Sequence, residues 1–306
     1  MVIFHNFKTV FLAICIETFP FLLIGAFIAA IIEYYVNEQR MVRFLKLHPV
    51  LQMIAASFMG FIFPLCECAI IPIGRGLLKK GIPVRTTLLF MLVAPIINPI
   101  ALSATYFAFG QNMSVVLYRA LLGLTVALVV SIIFGFSKKE DVLLEHEKKE
   151  VCTHCHHDHA EHEEHVHEKK AKRKWLGIIE HTLSEFMGVG KYLVIGAAVA
   201  ASVQIFLPVN VTVALKQNNI LSVFSLQTLG YLLSLCSHGD AFVAAGFIKT
   251  FSFYPVLAFL IISPLIDIKN TLVMISYFKK KFVVKFILSL FTLTFIFVLL
   301  MKWWRI

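Results

Sequence analysis

The sequence predicts an all-α polytopic membrane protein: two inverted repeats, each of about three transmembrane helices plus one broken, re-entrant helical hairpin, about eight apolar segments in total. Three observations carry this. Apolar runs of membrane-spanning length recur along all 306 residues, a polar stretch divides them into two halves that match each other, and in each half one apolar segment is interrupted by polar residues. Composition agrees. Hydrophobic residues make up 59% of the chain and charged residues 15%, with a mean hydropathy of +0.83, well outside the range of soluble domains.

The first apolar segment, 8–34, contains VFLAICIETFPFLLIGAFIAAII (10–32). A hydrocarbon core of about 30 Å takes roughly 20 residues of helix, so this run is long enough to cross. It exceeds the apolar core of a signal peptide, carries Glu17 and Pro20, and lacks a small-residue cleavage site. It is therefore expected to be a retained helix. Segment 50–80 is different. As a straight helix it would run about 45 Å at 1.5 Å per residue, and Pro64 and Pro72 interrupt it. It is either a kinked, tilted span or a re-entrant hairpin with Pro64 to Cys68 at its buried tip. Segments 86–109 and 114–136 complete the first repeat, residues 1–136. A hydrophilic linker fills 137–174. The second repeat, 175–306, holds segments 187–207, 220–249, 254–278 and 282–301, of which 220–249 is again the odd one.

The halves look like copies. LIGAFIAA (23–30) returns as VIGAAVAA (194–201), with five identities in eight; PLC (64–66) returns as SLC (234–236), and APIIN (94–98) as SPLID (263–267). The offsets are 171, 170 and 169 residues, a collinearity that chance matching of apolar sequence does not readily give. Gly25 and Gly196, aligned by this repeat, are expected to permit close helix packing.

Charge chooses between the two readings of 50–80. The formal net charge of +10 is not a nucleic-acid signal, because the basic residues border apolar segments, as the positive-inside rule requires. With a hairpin, the clusters Arg40/Arg43/Lys46, Lys79/Lys80/Arg85, the basic linker and Lys279/Lys280/Lys281 all share one face. Lys8, Lys216, Lys249, Lys302 and Arg305 remain on the other. A crossing segment would scatter them. The hairpin is thus favoured, and it inverts the second half relative to the first. Inverted repeats with broken helices are a recurring plan of secondary transporters. Both termini would then face outward from a bacterial plasma membrane, with the linker in the cytoplasm.

Backbone polar groups cannot be left bare in lipid, so a helix interrupted at membrane depth must line protein or a watery cavity. The first tip offers Cys66, Glu67 and Cys68, and the second Cys236, Ser237, His238 and Asp240. Each second arm starts just after its tip, so its positive dipole end favours a thiolate there. Soft thiolates select soft ions; histidine and carboxylate widen the choice toward zinc-like metals or supply a proton relay. Asn98 and Asp267 occupy the same repeat position, each three residues after a proline. Asp267 and Lys269 would be costly facing lipid, so they should pair with each other or with Asp240. Arg75 is expected to reach cytoplasmic headgroups. His238, Asp240 and Asp267 are the candidate proton carriers.

These motifs carry a resemblance. PLCECAIIPIGRGLLKKGIP (64–83) followed by FMLVAPIINPIAL (90–102), with LCSHGDAFVAAGF (235–247) and ISPLIDIKNTLVM (262–274) in the second half, resemble the predicted-permease family that includes the bacterial organoarsenical permease ArsP. The resemblance implies a permease, and for some members export of trivalent, thiol-seeking arsenicals. The linker departs from that pattern. CTHCHHDHAEHEEHVH (152–167) sets Cys152, His154, Cys155, His156, His157, His159, His162, His165 and His167 beside carboxylates, a ligand set suited to zinc, nickel, cobalt or copper. Its spacing is too irregular for a folded zinc finger, so a disordered metal-binding linker is expected.

Three functions follow: a secondary-type permease for a thiophilic metalloid, a divalent-metal permease served by the linker, and a membrane thiol-redox protein. The last lacks any redox fold or catalytic domain, so no enzyme is expected. No cofactor is required beyond a divalent metal on the linker. The expected partners are the bilayer, a small inorganic or organometalloid solute, and an accessory membrane or extracytoplasmic protein. There is no Walker motif, so energy must come from a gradient or a partner.

Overall fold

The computed structural model of the chain describes residues 2–35, 48–62, 67–144, 166–206, 219–237 and 239–303. Among these, twelve helices and one short helical turn, Lys139–Val142, account for nearly all the structure. The first half holds α1 (Val2–Tyr35), α2 (Pro49–Ile62), α3 (Glu67–Lys79), α4 (Val84–Ile96), α5 (Pro99–Ala108) and α6 (Met113–Phe134). The second holds α7 (Val166–Phe206), α8 (Asn219–Leu233), α9 (Gly239–Phe247), α10 (Phe253–Leu265), α11 (Ile268–Tyr277) and α12 (Lys280–Trp303). Six spans among the described residues are long and apolar enough to cross a membrane, with α4–α5 and α10–α11 each counted as one broken span. The chain is a polytopic helical membrane protein.

The two broken spans form the centre. The apolar windows of Phe253–Tyr277 and Val84–Ala108 are 83% and 67% buried, against 28–39% for the other four spans. Peripheral helices turn Ile16, Phe58, Leu121, Met187, Phe224 and Leu288 outward, the lipid-facing side that a membrane protein has no reason to hide. The order of packing repeats between halves. α2 lies on α4 as α8 lies on α10, α4 on α6 as α10 on α12, and α3 on α11 as α9 on α5. The halves differ at their first helices: α1 packs on α3, whereas α7 packs on α11. Gly25 and Gly196 make those two contacts possible. A Cβ at Gly25 would lie 2.6 Å from the Ala69 Cα, and one at Gly196 would lie 2.9 Å from the Lys269 Cα, so each is held at backbone-to-backbone distance as the repeat predicts.

Segment 50–80 folds as two helices that reverse direction. Thr86 Oγ1 donates to Gln52 Oε1 at 3.2 Å, and Gly60 lies against Ala94; eight residues along each chain, the two helices are still in step, so α2 and α4 are parallel. α3 is antiparallel to α4, with Gly74 on Met91 and Glu67 level with Pro95. The beginning of α2 and the end of α3 therefore lie on the same face. Other contacts gather there. Lys139 Nζ donates to the Lys79 carbonyl at 3.2 Å, and Gly135 lies against Arg85. Leu144 N donates to the Tyr277 carbonyl and Lys279 N to the Val142 carbonyl, both at 2.9 Å. So α4 leaves this face while the equivalent path through α10 and α11 returns to it, which is an inverted relation. The positive-inside rule predicts that this basic face is the cytoplasmic one.

Two features differ from the sequence reading. Segments 86–109 and 254–278 are broken rather than continuous, at 97–98 and at 266–267. Pro99 supplies no N–H to continue α4 and stands at the first position of α5, where that loss costs nothing. The segment expected to be a linker, 137–174, is helical at its far end, since α7 begins at Val166.

An impermeant thiol reagent checks the topology. With native cysteines replaced, His48→Cys, Lys80→Cys and Lys280→Cys should react from the same side, and Asn112→Cys from the other. Labelling of positions 48 and 80 from opposite sides would mean that α2 and α3 together cross the bilayer.

Candidate translocation site

Four half-helices begin inside the bundle: α3 at Glu67, α5 after Asn98, α9 at Gly239 and α11 after Asp267. Each opens with an acid or amide. Asn98 Oδ1 accepts from Ile100 N at 2.9 Å, and Asp267 Oδ1 accepts from Asn270 N at 2.6 Å. Glu67 and Asp240 sit in the first turns of α3 and α9. The first turn of a helix has spare N–H donors and a positive dipole end, so an acidic or acceptor side chain is the natural occupant. This is why three carboxylates can stand in an apolar bundle. Glu67 is 7% exposed, and Asp240 and Asp267 are wholly buried.

The tips of the two hairpins meet on the first turn of α11. Asn270 Nδ2 donates to Glu67 Oε2 at 3.1 Å, and Cys68 Sγ donates to Asn270 Oδ1 at 3.4 Å. Lys269 Nζ donates to the Ser234 carbonyl at 3.1 Å and stands 3.3 Å from Asp267 Oδ2. Asn270 thus holds the first tip and Lys269 the second. Beside Glu67 and Asn270 lies a cavity of about 20 Å³, otherwise lined by apolar residues including Ile70, Met91, Leu92 and Pro264. It has room for roughly one water.

The other arm of the second hairpin is clamped at the tip. Arg119 Nη2 meets Asp240 Oδ2 at 2.8 Å and Nη1 meets Oδ1 at 3.1 Å, a bidentate pair with both side chains wholly buried. The same guanidinium donates to Thr105 Oγ1 at 2.7 Å and to the Ser237 carbonyl at 3.3 Å. It therefore ties α6 to α5, α9 and the turn before α9. Nearer the basic face, Arg75 Nη1 lies 2.7 and 2.8 Å from the two Glu185 oxygens, with its guanidinium carbon 4.7 Å from the Tyr277 ring centre. That links α3, α7 and α11. Arg75 does not extend to headgroups, because Glu185 offers it a partner within the bundle.

The residues expected at the site are distributed as follows. Glu67, Cys68, Asp267 and Lys269 share the junction on α11. Asp267 pairs with Lys269, one of the two pairings expected, while Asp240 pairs with Arg119 instead. Asn98 is buried at the start of α5. Cys236 Sγ accepts from Gly239 N at 3.4 Å, inside its own turn. Cys66, His238 and the linker ligands Cys152, His154, Cys155, His156, His157, His159, His162 and His165 lie outside the described residues, and His167 falls on the first turn of α7. Arg119 and Asn270 were missed. An arginine within the apolar run 114–136 was signal enough for the first. Nothing local marks Asn270, whose side-chain partners are about 200 residues away.

Removing one partner of a buried ion pair strands the other. Arg119→Ala should lower stability by about 3–5 kcal/mol, and Arg119→Met with Asp240→Leu should recover most of that loss. Melting of the detergent-purified protein reads both; a single variant that melts like the parent would mean the clamp contributes nothing.

Over residues 3–303 the chain matches the family described as predicted permeases. It is 40% identical over 280 residues to the UPF0718 protein YcgR of Bacillus subtilis, covering 92% of this chain and 91% of that protein. It is 37% identical over 278 residues to a Streptococcus mutans protein named as a candidate two-component membrane permease complex subunit, covering 91% and 89%. No solved structure matches it. Half-helices starting inside a bundle are the arrangement expected where a solute path crosses a membrane. With that match and two relatives aligned over nearly their whole lengths, the chain belongs to the predicted-permease family and is a multi-pass protein of the cytoplasmic membrane.

Proposed function

We propose that this permease expels a thiophilic metalloid, an arsenite-like or trivalent organoarsenical species, by a secondary-transport mechanism. The observation that carries the reading is the Cys68 thiol. It sits on the first turn of α3, is 2% exposed, and is held by Asn270 where the two hairpin tips join. A buried cysteine used only for packing needs no amide partner. This one is placed where a helix N-terminus steadies a thiolate, and soft trivalent arsenic is a natural ligand for sulfur. Cys66, two residues before it, and Cys236, on the opposing tip, are the further sulfurs proposed to meet the solute. Glu67, His238, Asp240, Asp267, Lys269 and Asn98 complete the proposed path. The work is transport rather than catalysis.

A second reading comes from the linker. Its Cys- and His-rich tract has the composition of a divalent-metal trap, so we infer that residues 137–174 bind zinc or a similar ion and present it to a divalent-metal permease. Among the described residues, no group of three or more His, Cys, Asp or Glu gathers to hold a metal ion. The naming of one relative as a complex subunit supports an accessory membrane or extracytoplasmic partner for this chain as well.

Two measurements separate these readings. Cys66→Ser with Cys68→Ser should abolish the arsenical tolerance that the parent confers on an efflux-deficient host; unchanged tolerance would remove the metalloid reading. Deleting residues 145–168 should leave arsenical tolerance intact while reducing zinc binding by the purified protein. Loss of zinc transport in vesicles on that deletion, with arsenical flux absent from the parent, would favour the divalent-metal reading.

A further inference from the structure

We propose that Glu67 is the proton-carrying site of this permease, the group through which solute movement is coupled to the proton gradient. The inference rests on the chain being a permease and adds the coupling ion. It follows from a comparison of the three buried acids. Asp240 is neutralised by Arg119 through two oxygens, and Asp267 by Lys269. These were the acids the sequence nominated as proton carriers, and each has a fixed cation. Glu67 forms no ion pair among the described residues. Its Oε2 accepts from Asn270, while its Oε1 is buried with no hydrogen-bond partner.

The surroundings select a proton over a metal cation. Glu67 borders the cavity with room for about one water, and apart from Asn270 the lining is apolar. A hard cation needs several oxygen ligands, and the residues lining this cavity offer the side-chain oxygens of Glu67 and Asn270 alone. A proton needs one. As a carboxylate, Glu67 is steadied by the N-terminus of α3 and the Asn270 amide. As an acid, it holds the proton on Oε1 and donates it to a water in the cavity. One O–H bond forms when the proton arrives from one side of the membrane, and the same bond breaks when it leaves to the other. The groups that act on this carboxyl electrostatically are Lys269 and Asp267 from α11, Cys68 from α3 itself and Asp240 from α9. From α4, Met91, Leu92 and Pro95 line the cavity without a titratable group.

Coupling has a physical route. The Asn270 amide is shared, its nitrogen on Glu67 and its oxygen on the Cys68 thiol. A solute that takes the sulfur removes the donor from Asn270 Oδ1. A proton that neutralises Glu67 weakens the acceptor on Asn270 Nδ2. Both events pull on one side chain on the helix that also anchors the second hairpin through Lys269, so neither leaves the other unaffected.

The full-length protein reconstituted in liposomes tests this in two ways. Infrared difference spectra between acidic and alkaline buffer, with no solute present, should show the carbonyl band of a protonated carboxyl that vanishes in Glu67→Gln, persists in Glu67→Asp and shifts in Asn270→Ala. Accumulation of a trivalent methylarsenical driven by an imposed pH gradient should fall in Glu67→Gln to the level of protein-free vesicles. A band that survives Glu67→Gln, is missing from the parent, or stays unmoved in Asn270→Ala overturns the assignment, as does undiminished accumulation in Glu67→Gln. A parent that shows the band but moves no arsenical leaves Glu67 as the proton site and overturns the solute reading instead.

Discussion

The structure depends on the requirement that a helix interrupted within a membrane find partners for its freed backbone groups inside the protein. Four half-helices meet that requirement by starting in the bundle interior with their own caps or first-turn acids: Glu67, Asn98, Asp240 and Asp267. Once those starts are fixed, much else is constrained. The acids need cations or amides, which brings in Arg119, Lys269 and Asn270. The half-helices need a close-packed surround, which brings Gly25 onto α3 and Gly196 onto α11 at backbone distance.

The two halves solve the same problem with different chemistry. In the second hairpin the first-turn acid is clamped bidentately by Arg119, which also takes Thr105 and the Ser237 carbonyl. In the first hairpin the first-turn acid, Glu67, has an amide, Asn270, and borders a small cavity. A tip held by an ion pair and a tip held by an amide are thus joined through adjacent residues of α11, Lys269 and Asn270. The asymmetry extends to α1 and α7, which sit on non-equivalent elements. Duplication supplies the pairings, and divergence after it supplies a difference between the two sides that a directional transporter needs.

A fold of this kind keeps its polar network away from lipid by position. Arg119 is wholly buried although it stands in one of the more peripheral spans. Its helix presents Leu117 and Leu121 outward and Arg119 inward, and the ion pair with Asp240 is the reason that face cannot rotate. Arg75 does similar work near the basic face, where Glu185 and Tyr277 draw it across α7 and α11. A guanidinium can satisfy several acceptors at once, which suits it to tying helices together.

The sequence by itself determined the helical membrane class, the matching of the two halves and the reversal within 50–80. Those follow from hydropathy, repeat offsets and the placement of lysine and arginine, which the bilayer enforces residue by residue. It also located the acids and sulfurs of the tips, because charge and thiol at membrane depth stand out against an apolar background. It did not show that Asn98 and Pro99 break one span into two helices, since hydropathy runs unbroken across the joint. Nor did it choose partners. Whether Asp240 would meet Lys269 or Arg119, whether Arg75 would reach lipid or Glu185, and which carboxyl would be left with a free oxygen were decided by contacts across 110 to 203 residues of chain. Pairing at such separations depends on how helices cross and rotate. Only the tertiary structure fixes that.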